Sequence, residues 1–373
     1  MSEILPKKGT IRIAGAGPAG LAAAITLAQG GQAVEVWEKR SSAGHRYHNG
    51  FQILENYTVD AHVLDDFSTM GITTEFFQYP GHAVDFYDYK LRCRTMQAQQ
   101  PFGYYVKRGP GDDTLDSALA RQAESLGVKL HFHQTLPKAE ADIWAVGATC
   151  PAGVAKEMVF RTDLPDTFIT LLDNRLTPQG FAYLFVIDGE ATIGAAILAD
   201  FNNLNEYFDR VVARFQEIKP FGIEQSVTSG SFVQFYLPTT AQPNNQLLVG
   251  EAAGFQEYLF GLGIRRAVVS GYLAAQSLIQ NQNYDDLWRR RFGPTMPLSV
   301  VNRWLFEKLG NQGASLAIQL AGNIDFRKLG RRLNKPDWLR RAAWPLIRRK
   351  WRGAAPSQFS GHCTWYRALD EPK

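Results

Sequence analysis

The stretch that decides the fold is residues 10–29, "TIRIAGAGPAGLAAAITLAQ". Residues 10–16 alternate like a β-strand and end in a glycine turn, and residues 20–29 are small and apolar, as in a helix packed tightly on a sheet. Residues 33–38, "AVEVWE", are predicted to form a second strand. This order of strand, helix and strand predicts a βαβ unit.

The turn "GAGPAG" places Gly15, Gly17 and Gly20 in the G-x-G-x-x-G pattern. The first glycine permits a tight turn, the second lets a pyrophosphate approach the backbone, and the third lets helix and strand pack closely. The beginning of the helix, which includes Ala19, then faces the phosphate charge. Glu38 ends the second strand, where a carboxylate can bind a ribose. An acid there favours a free ribose over a 2′-phosphate, so the pattern predicts FAD or NAD rather than NADP.

A second glycine-rich stretch lies far downstream, at residues 249–267, "VGEAAGFQEYLFGLGIRRA". A buried strand, "QLLVG", is predicted before it, and a helix is predicted over residues 264–279. Two such stretches, so far apart in the chain, make sense together if both contact one extended, phosphate-bearing ligand.

These motifs together resemble the glutathione-reductase-type FAD fold of the geranylgeranyl reductase and aromatic hydroxylase superfamily. In that superfamily the first motif holds the ADP half of FAD, and a distant G-D-A-A-G segment holds the ribityl phosphate half. Residues 250–254 read G-E-A-A-G here, with glutamate in place of aspartate. The resemblance implies an α/β fold with a Rossmann-like FAD-binding domain, an inserted β-rich substrate domain and a helical C-terminal region.

The resemblance also implies roles for single residues in the second stretch. Glu251, which follows Gly250, should hydrogen-bond the ribityl chain. The backbone from Gly261 through Gly263 to Ile264 should pass close to the flavin ring. The helix N-terminus at that point offers positive potential to an anionic reduced flavin.

Other positions match the superfamily only in part. Arg108 resembles the arginine of an R-x-x-L/F-D pattern and is predicted to contact the flavin, although the gap to Leu115 and Asp116 is longer here. Thr149 and Cys150 stand where the hydroxylase branch carries aspartate and glycine. This departure weakens the hydroxylase interpretation. Residues 180–198, "GFAYLFVIDGEATIGAAIL", resemble paired strands of geranylgeranyl-reductase-like flavoproteins.

The predicted domain organisation is discontinuous, because β-rich segments interrupt the nucleotide-binding ones. The predicted boundaries are an FAD-binding domain at residues 1–45, 105–155 and 245–300, a β-rich substrate domain at residues 46–104 and 156–244, and a helical, basic C-terminal region at residues 301–373.

Candidate catalytic residues come from the loop "HRYHNGFQILENYT", residues 45–58, because it follows the strand that bears Glu38. His45, His48 and Tyr57 are predicted to donate a proton beside the flavin. Arg46 is predicted to pair with a flavin phosphate or an acidic substrate group. The alternative for the histidines is a surface or hydrogen-bonding role. No metal site is expected, because no third ligand recurs at ligand spacing.

The β-rich segments carry many aromatic side chains, and at strand spacing most are expected to belong to the core. Some could line a long apolar pocket. Phe255 and Tyr258 flank the predicted flavin-side turn, and they are predicted to line such a pocket.

Cysteine usage and the N-terminus bear on the compartment. Three widely spaced cysteines, Cys93, Cys150 and Cys363, show neither disulfide nor metal spacing, which is typical of a reducing compartment such as the cytoplasm. The first ten residues, "MSEILPKKGT", lack the apolar core of a signal peptide. We therefore expect a cytoplasmic location, with contact to the inner face of the membrane as an addition.

That addition rests on residues 327–352, which carry eleven basic residues against one acid, Asp337. Trp338, Trp344 and Trp351 are interleaved with the basic residues. Tryptophans at an interface with arginines near phosphates suit a peripheral membrane contact. The alternative is a solvated helical face packed on the body through its tryptophans. Nucleic-acid binding is not expected, because no nucleic-acid fold accompanies the basic run.

The leading hypothesis is therefore an FAD-dependent oxidoreductase that reduces or introduces a C=C bond in an apolar, lipid-like substrate. One alternative is a flavin-dependent monooxygenase acting on an aromatic or other small molecule. Another is a membrane-associated electron carrier or lipid-binding protein. Because a second G-x-G-x-x-G is absent from the sequence, the electron donor is expected to be transiently bound NAD(P)H or a ferredoxin-like protein.

Overall fold

The computed structural model describes residues 9–148, 152–350 and 363–366. Thr149 and Cys150 lie outside the described residues. The strands, in chain order, are β1 (Ile11–Ala14), β2 (Val34–Glu38), β3 (Gly50–Glu55), β4 (Gln78–Gly81), β5 (Ala83–Asp88), β6 (Cys93–Gln97), β7 (Gly103–Arg108), β8 (Lys129–Phe132), β9 (Ile143–Trp144), β10 (Gly153–Arg161), β11 (Thr167–Leu172), β12 (Phe181–Ile187), β13 (Glu190–Ile197), β14 (Glu224–Val233), β15 (Tyr236–Pro238), β16 (Leu247–Leu248) and β17 (Cys363–Tyr366). The α-helices are α1 (Pro18–Gln29), α2 (Val63–Thr69), α3 (Leu115–Ser125), α4 (Leu204–Ile218), α5 (Ile264–Ile279), α6 (Tyr284–Phe292), α7 (Met296–Ala321), α8 (Phe326–Asn334) and α9 (Trp338–Lys350).

A five-stranded parallel sheet, in the order β16-β9-β1-β2-β8, forms the half of the fold that the sequence predicts to bind a nucleotide. The predicted βαβ unit is confirmed by β1, α1 and β2. The helix is buried from Ala19 to Leu27, as its small apolar sequence requires. Because the strands are parallel, their carboxyl ends lie along one edge of the sheet, and the glycine-rich segments follow at that edge.

Helices α1 and α5 pack against each other unusually closely. A Cβ added at Gly271 of α5 would lie 2.1 Å from the carbonyl oxygen of Ala19. Only glycine at this position allows the two helix backbones to approach so far. The helix predicted over residues 264–279 thereby brings the downstream glycine-rich stretch onto the N-terminal one.

The β-rich half consists of two further sheets. A seven-stranded sheet runs β14-β10-β13-β12-β11-β5-β6, antiparallel except at β11 and β5. Helix α4 covers part of it through buried Phe208, Val211 and Phe215. A three-stranded antiparallel sheet, β3-β7-β4, lies between this sheet and the nucleotide-binding half, and the Phe51 N–H donates to Thr192 Oγ1 of β13 at 2.8 Å.

The structure corrects one predicted strand. The sequence "SFVQFYL", residues 231–237, reads as one strand, but β14 ends at Val233 and β15 begins at Tyr236. The N–H of Gln234 donates to Glu251 Oε1 at 3.3 Å instead of continuing a ladder. The interruption thus orients backbone towards the second glycine-rich segment.

The chain from α6 to α9 is mainly helical, as predicted. Helix α7 is bent at Gly310, whose φ of 57° and ψ of −168° are not helical. None of the described helices combines the length and apolar character needed to cross a bilayer.

Candidate functional site

In the first glycine turn, each glycine meets a different structural requirement. Gly15 has a φ of +102°, and its N–H donates to the Trp37 carbonyl at 2.8 Å. A Cβ at Gly20 would lie 2.0 Å from the Gly15 carbonyl oxygen, so this glycine allows α1 to begin directly against the turn. A Cβ at Gly17 would meet no atom within 4 Å. Gly17 therefore faces open space at the beginning of α1, where no side chain caps the helix.

Glu38 lies at the end of β2, beside this turn. Its carboxylate accepts hydrogen bonds from the Ala16 N–H at 3.1 Å and the Arg40 N–H at 2.9 Å. The carboxylate is thus fixed at the carboxyl edge of the parallel sheet, next to the free helix N-terminus. An open glycine, uncapped helix N–H groups and a fixed acid fit the phosphate and ribose of a dinucleotide.

The second glycine segment meets the first in space. Gly250, with a φ of +60°, lies so close to α1 that an added Cβ would be 2.9 Å from the Ala19 Cβ. Its N–H donates to Ser270 Oγ of α5 at 2.8 Å. Two segments more than 200 residues apart therefore line one region, as expected from the sequence.

Glu251 is held by hydrogen bonds from polar groups. Oε1 accepts from Gln256 Nε2 at 2.8 Å and from the Gln234 N–H at 3.3 Å. A Cβ at Gly147, which has a φ of +81°, would lie 3.8 Å from Oε2. Burial raises the pKa of the Glu251 carboxyl, whereas the positive charge of Arg46 and the Gln256 hydrogen bond oppose the rise.

The turn that precedes α5 is organised by an acid that the sequence analysis missed, Glu257. Its carboxylate accepts from the Leu259 N–H at 3.1 Å, the Phe260 N–H at 3.0 Å and Ser299 Oγ at 3.1 Å. Gly261, with a φ of +70°, follows in the same turn. The position of an acid just before "YLFGLG" is the sequence signal that could have identified the role of Glu257 in this turn.

Gly263 comes immediately before Ile264, the first residue of α5, and no side chain caps that helix. A Cβ at Gly261 or Gly263 would come no closer than 3.5 Å to another atom. Both glycines therefore leave room beside the turn, next to the side chain of Gln256.

A polar cluster faces this region from the β-rich half. Glu157 Oε1 accepts hydrogen bonds from Gln52 Nε2 and from the Tyr183 hydroxyl. Burial raises the pKa of the Glu157 carboxyl, and these two hydrogen bonds and the charge of Arg46 counteract the rise. This cluster was not predicted from the sequence, although a glutamate directly before the apolar residues Met158, Val159 and Phe160 of β10 is a recognisable signal.

Arg46 lies between the two acids, Glu157 and Glu251. Nη2 donates to the Tyr47 hydroxyl at 2.6 Å, and the guanidinium lies 4.7 Å from the Tyr47 ring centroid. The pKa of Arg46 is raised by Tyr47 first and then, against the cost of burial, by Glu251 and Glu157. Arg46 is therefore a cation placed among carboxylates, and its pairing with a flavin phosphate stays a prediction.

Arg108 is paired within the protein. Its guanidinium donates twice to Asp116, at 2.7 and 2.9 Å, and stacks 4.4 Å from the Tyr47 ring centroid. Asp116 also accepts from the Gly109 N–H at 3.0 Å. The longer gap between Arg108 and Asp116 makes the superfamily pattern only a partial match. The two side chains nevertheless form a direct ion pair, which fixes Arg108 beside the loop of Arg46. A flavin contact by Arg108 stays a prediction.

The three candidate proton donors lie in two different places. His45 and His48 are half-buried, with ring centroids 6.2 Å apart, and His45 Nδ1 is 2.8 Å from Ser41 Oγ. Tyr57 is buried instead beneath α8, where a Cβ at Gly330 would lie 2.7 Å from its ring. Burial, followed by the negative charges of Glu257 and Glu55, holds its pKa well above the usual range. Tyr57 is therefore not grouped with the histidines.

Phe255 and Tyr258 correct the prediction that they line a pocket, because both are fully buried in the core. The Phe255 ring packs against Trp288 and Phe292, with centroids 5.3 and 5.0 Å apart. The Tyr258 hydroxyl donates to the carbonyl groups of Tyr236 and Gly254. Both aromatic side chains therefore stabilise the second glycine-rich segment from the core.

No group of three or more His, Cys, Asp or Glu side chains that could hold a metal ion occurs within the part of the chain that the structure describes.

Comparison with known proteins places this arrangement in a known fold. The family model of NAD(P)-binding Rossmann-like domains matches residues 13–80. A geranylgeranyl bacteriochlorophyll reductase-like protein from Thermoplasma acidophilum superposes with a TM-score of 0.69 at 19% identity, covering 92% of this chain and 99% of that one. The chain has the fold of this reductase-like protein. The resemblance inferred from the sequence is thereby confirmed for the fold.

Other solved structures with this fold carry out different chemistry. The flavin-dependent brominase Bmp2 matches with a TM-score of 0.59 at 16% identity, covering 92% of this chain and all of that one. The p-nitrophenol 4-monooxygenase PnpA from Pseudomonas putida DLL-E4 matches with a TM-score of 0.58 at 13% identity, covering 88% and 100%. No curated protein sequence matches the chain significantly. Shared architecture at such identities does not transfer a substrate.

Proposed function

We propose that the protein is an FAD-dependent oxidoreductase. The observation that carries this proposal is the junction of the two glycine segments, where Gly250 lies against Ala19 at the beginning of α1. One dinucleotide lying along this junction would reach Gly17 and Glu38 with its ADP half. Its other half would reach Glu251 and the turn before α5.

Bound FAD supplies hydride or electron transfer, whereas the protein supplies position, charge and exclusion of water. In this proposal the free N–H groups at the N-terminus of α1 bind pyrophosphate, and Glu38 accepts hydrogen bonds from the ribose. Glu251 binds the ribityl hydroxyls. The backbone at Gly261 and Gly263 lies against the ring, and the N-terminus of α5 stabilises negative charge there.

We further propose that the substrate is apolar and that a C=C bond is reduced or introduced in it. A row of aromatic side chains supports this. The ring centroids of Phe260, in the turn before α5, and Phe181 lie 5.5 Å apart, and the row continues through Tyr183 to Phe185. A substrate between this row and the turn would lie beside the reactive end of the cofactor. His45 and His48 remain the proposed proton donors.

The position of Tyr57 makes it the weakest of the proposed proton donors, because its ring is covered by α8. Glu157 is a better-placed addition. Its carboxyl is buried, its pKa is raised, and it belongs to the polar cluster that faces Arg46. A protonated carboxyl at this position could release a proton to the substrate side.

The remaining elements of the proposal concern organisation and partners. The discontinuous boundaries drawn from the sequence are proposed for the FAD-binding, substrate and C-terminal regions. The electron donor is proposed to be transiently bound NAD(P)H or a ferredoxin-like protein. Contact with the inner face of the membrane through residues 327–352 would bring a cytoplasmic enzyme to an apolar substrate.

The experiment that tests the proposal is mass spectrometry of small molecules extracted from purified, denatured protein. FAD together with an acyl or isoprenoid lipid would support the whole proposal and identify the substrate class. FAD alone, with NADPH-dependent oxygen uptake on aromatic compounds, would replace the lipid substrate with monooxygenase chemistry. Folded protein that neither retains FAD nor binds added FAD would contradict the proposal.

A further inference from the structure

The large apolar side chains that remain exposed are concentrated in the C-terminal helices. Among the described residues, thirteen large hydrophobic side chains are exposed, and eight of them lie within residues 305–346. Such concentration marks an interaction surface, whereas single exposed apolar residues are normal. The eight side chains, here called the apolar face, are Leu305, Leu309, Leu316, Leu320, Ile324, Trp338, Leu339 and Leu346.

Helix α7 displays exposed leucines on both sides of its bend. Leu305 and Leu309 lie one turn apart before Gly310, and Leu316 and Leu320 lie one turn apart after it, so each pair shares one side of its own helical segment. They are 44–69% exposed. In the second segment Ile318, on the opposite side, is buried against the β-rich half, so the packing of α7 does not explain the exposed leucines.

Helix α9 extends this apolar face. Trp338, Leu339 and Leu346 are 74%, 62% and 63% exposed, whereas Ile347 is 4% exposed. The helix begins beside the first half of α7, because Arg340 Nη1 donates to Asn302 Oδ1 at 3.0 Å. The exposed side chains at the beginning of α9 therefore lie near the first half of α7.

The seven basic residues of residues 327–347 divide into two groups. Three hold the helices on the body: Arg327 donates to the Asn56 carbonyl at 2.9 Å, Arg331 pairs with Asp60, and Arg340 donates to Asn302 Oδ1 at 3.0 Å. The other four are exposed, as is Lys308 of α7. The exposed cations are Lys308, Lys328, Arg332, Lys335 and Arg341.

The acids in this part of the chain offset that group only in part. Asp337, the single acid of residues 327–352, pairs with Arg340. Asp325 accepts the Lys328 N–H at 2.8 Å and so caps α8, and its carboxylate also attracts the charge of Lys328. An apolar face with tryptophan and leucine in a region with this excess of exposed cations is complementary to an anionic lipid surface.

We infer that the protein docks on an anionic bilayer through the apolar face of α7 and α9. This inference refines the membrane contact within the proposed function: the leucines of α7 enter the interface, and the exposed lysines and arginines meet lipid phosphates. Arg327, Arg331 and Arg340 are structural in this arrangement. FAD binding does not depend on the docking, so each can fail without the other.

The test is sedimentation of the full-length holoprotein with vesicles. Vesicles of phosphatidylcholine alone are compared with equal parts of phosphatidylcholine and phosphatidylglycerol. We expect binding to the anionic vesicles that weakens as salt is added. The double variant Leu316→Ser/Leu320→Ser should reduce partitioning about ten-fold or more, because two large apolar side chains no longer enter the interface. Lys328→Glu/Lys335→Glu should reduce it by about as much.

Matched variants separate the surface from general effects. Leu126→Ser/Ile279→Ser removes two exposed apolar side chains elsewhere, and Lys129→Glu changes an exposed cation outside the face. Both should bind vesicles like the unaltered protein, and all variants should retain FAD equally. Absence of vesicle binding, or binding that Leu316→Ser/Leu320→Ser leaves unchanged, would overturn the inference. A dimer that this double variant dissociates, with no vesicle binding, would assign the face to a second copy of the chain.

Discussion

Gly17 and Gly20 occupy the same motif but make opposite demands on a side chain. A Cβ at Gly20 collides with the Gly15 carbonyl oxygen at 2.0 Å, whereas a Cβ at Gly17 meets no atom within 4 Å. The motif alone predicts both glycines, because the spacing is the same in every such turn. Only the three-dimensional arrangement distinguishes the glycine required for packing from the one that leaves room for a ligand.

This difference predicts separable effects of two substitutions. Gly17→Ala should change the free energy of unfolding by no more than about 1 kcal/mol, since the position precedes α1 with ordinary extended backbone. It should weaken FAD binding about ten-fold or more, because the methyl group occupies the phosphate approach. Gly20→Ala should lower stability itself. Thermal unfolding of the FAD-free proteins and FAD titration measure the two effects.

If Gly17→Ala binds FAD normally while Gly20→Ala only unfolds more easily, the turn is a packing feature and the proposed cofactor position is wrong. Gly9→Ala is a suitable control, because a Cβ there also meets no atom within 4 Å and the residue lies before β1.

Glu55 predicts a pH dependence of stability. Burial raises the pKa of its carboxyl to about 7, against the opposing charge of Arg265 and the hydrogen bond from Thr58. The native protein therefore holds this proton more tightly than the unfolded chain does. Stability from this group is full below pH about 4.5 and is lost as the pH rises to about 7, by up to about 3 kcal/mol.

The variant Glu55→Gln should flatten that dependence, because an amide can still accept the Thr58 hydrogen bond but cannot ionise. Urea unfolding at several pH values between 4.5 and 8 measures it. Glu124→Gln, at an exposed position of α3, provides the control. Identical pH profiles for the unaltered protein and Glu55→Gln would exclude Glu55 as the cause.

Helices were the best-predicted elements, because capping and periodicity act within a few residues. The sequence "DDTLDSALARQAESLG", residues 112–127, predicts a capped helix that starts near Asp112 to Thr114. Helix α3 begins at Leu115 with Thr114 as its cap, where Thr114 Oγ1 accepts the Ser117 N–H at 3.2 Å. The helix predicted over residues 264–279 matches α5. The apolar face of α5 and the glycine before it are enough to predict this helix from the sequence.

Strand pairing was harder to predict, because strand partners are distant in the chain. The sequence "GYYVKR", residues 103–108, predicts a strand and forms β7, but its partners β3 and β4 come from the segment assigned to the other predicted domain. Alternation of side chains indicates a strand without identifying its neighbour. The same reason explains why Gln52, Glu157 and Tyr183 were not grouped from the sequence, since they meet only when β3 of one sheet packs against β10 and β12 of another.

The bend in α7 predicts a specific requirement for glycine. Gly310 has a φ of 57° and a ψ of −168°, a conformation available almost only to glycine. Gly310→Ala should therefore lower the free energy of unfolding by about 1–3 kcal/mol, although a Cβ there would meet no neighbouring atom. Gly222→Ala is the matched control, because its Cβ is equally free and its backbone is unrestricted. Equal unfolding midpoints for the two variants would contradict a strained bend.

The whole molecule turns two remote glycine-rich segments into one surface. The sequence contains both segments and their motifs, but their contact depends on the close packing of α1 and α5 through Gly271. The carboxylates Glu38 and Glu251 then belong to the two ends of the proposed site. Binding of a ligand that spans the site should depend on both carboxylates, whereas binding of a ligand that fills one end should depend on one of them.

This arrangement predicts how flavins stabilise the protein. FAD at about 100 times its dissociation constant should raise the free energy of unfolding by about 2.7 kcal/mol, which shifts the midpoint by a few degrees for a chain of this length. FMN lacks the AMP part of FAD, so it should stabilise less. Glu38→Ala should reduce the shift with FAD but leave the shift with FMN unchanged, whereas Glu251→Gln should reduce both.

Each shift is measured from that variant's own flavin-free midpoint, because Glu38→Ala also frees the N–H groups of Ala16 and Arg40. If Glu38→Ala lowers the two shifts equally, the ADP half does not lie beside β2, and the two glycine segments do not bind one dinucleotide in the proposed direction.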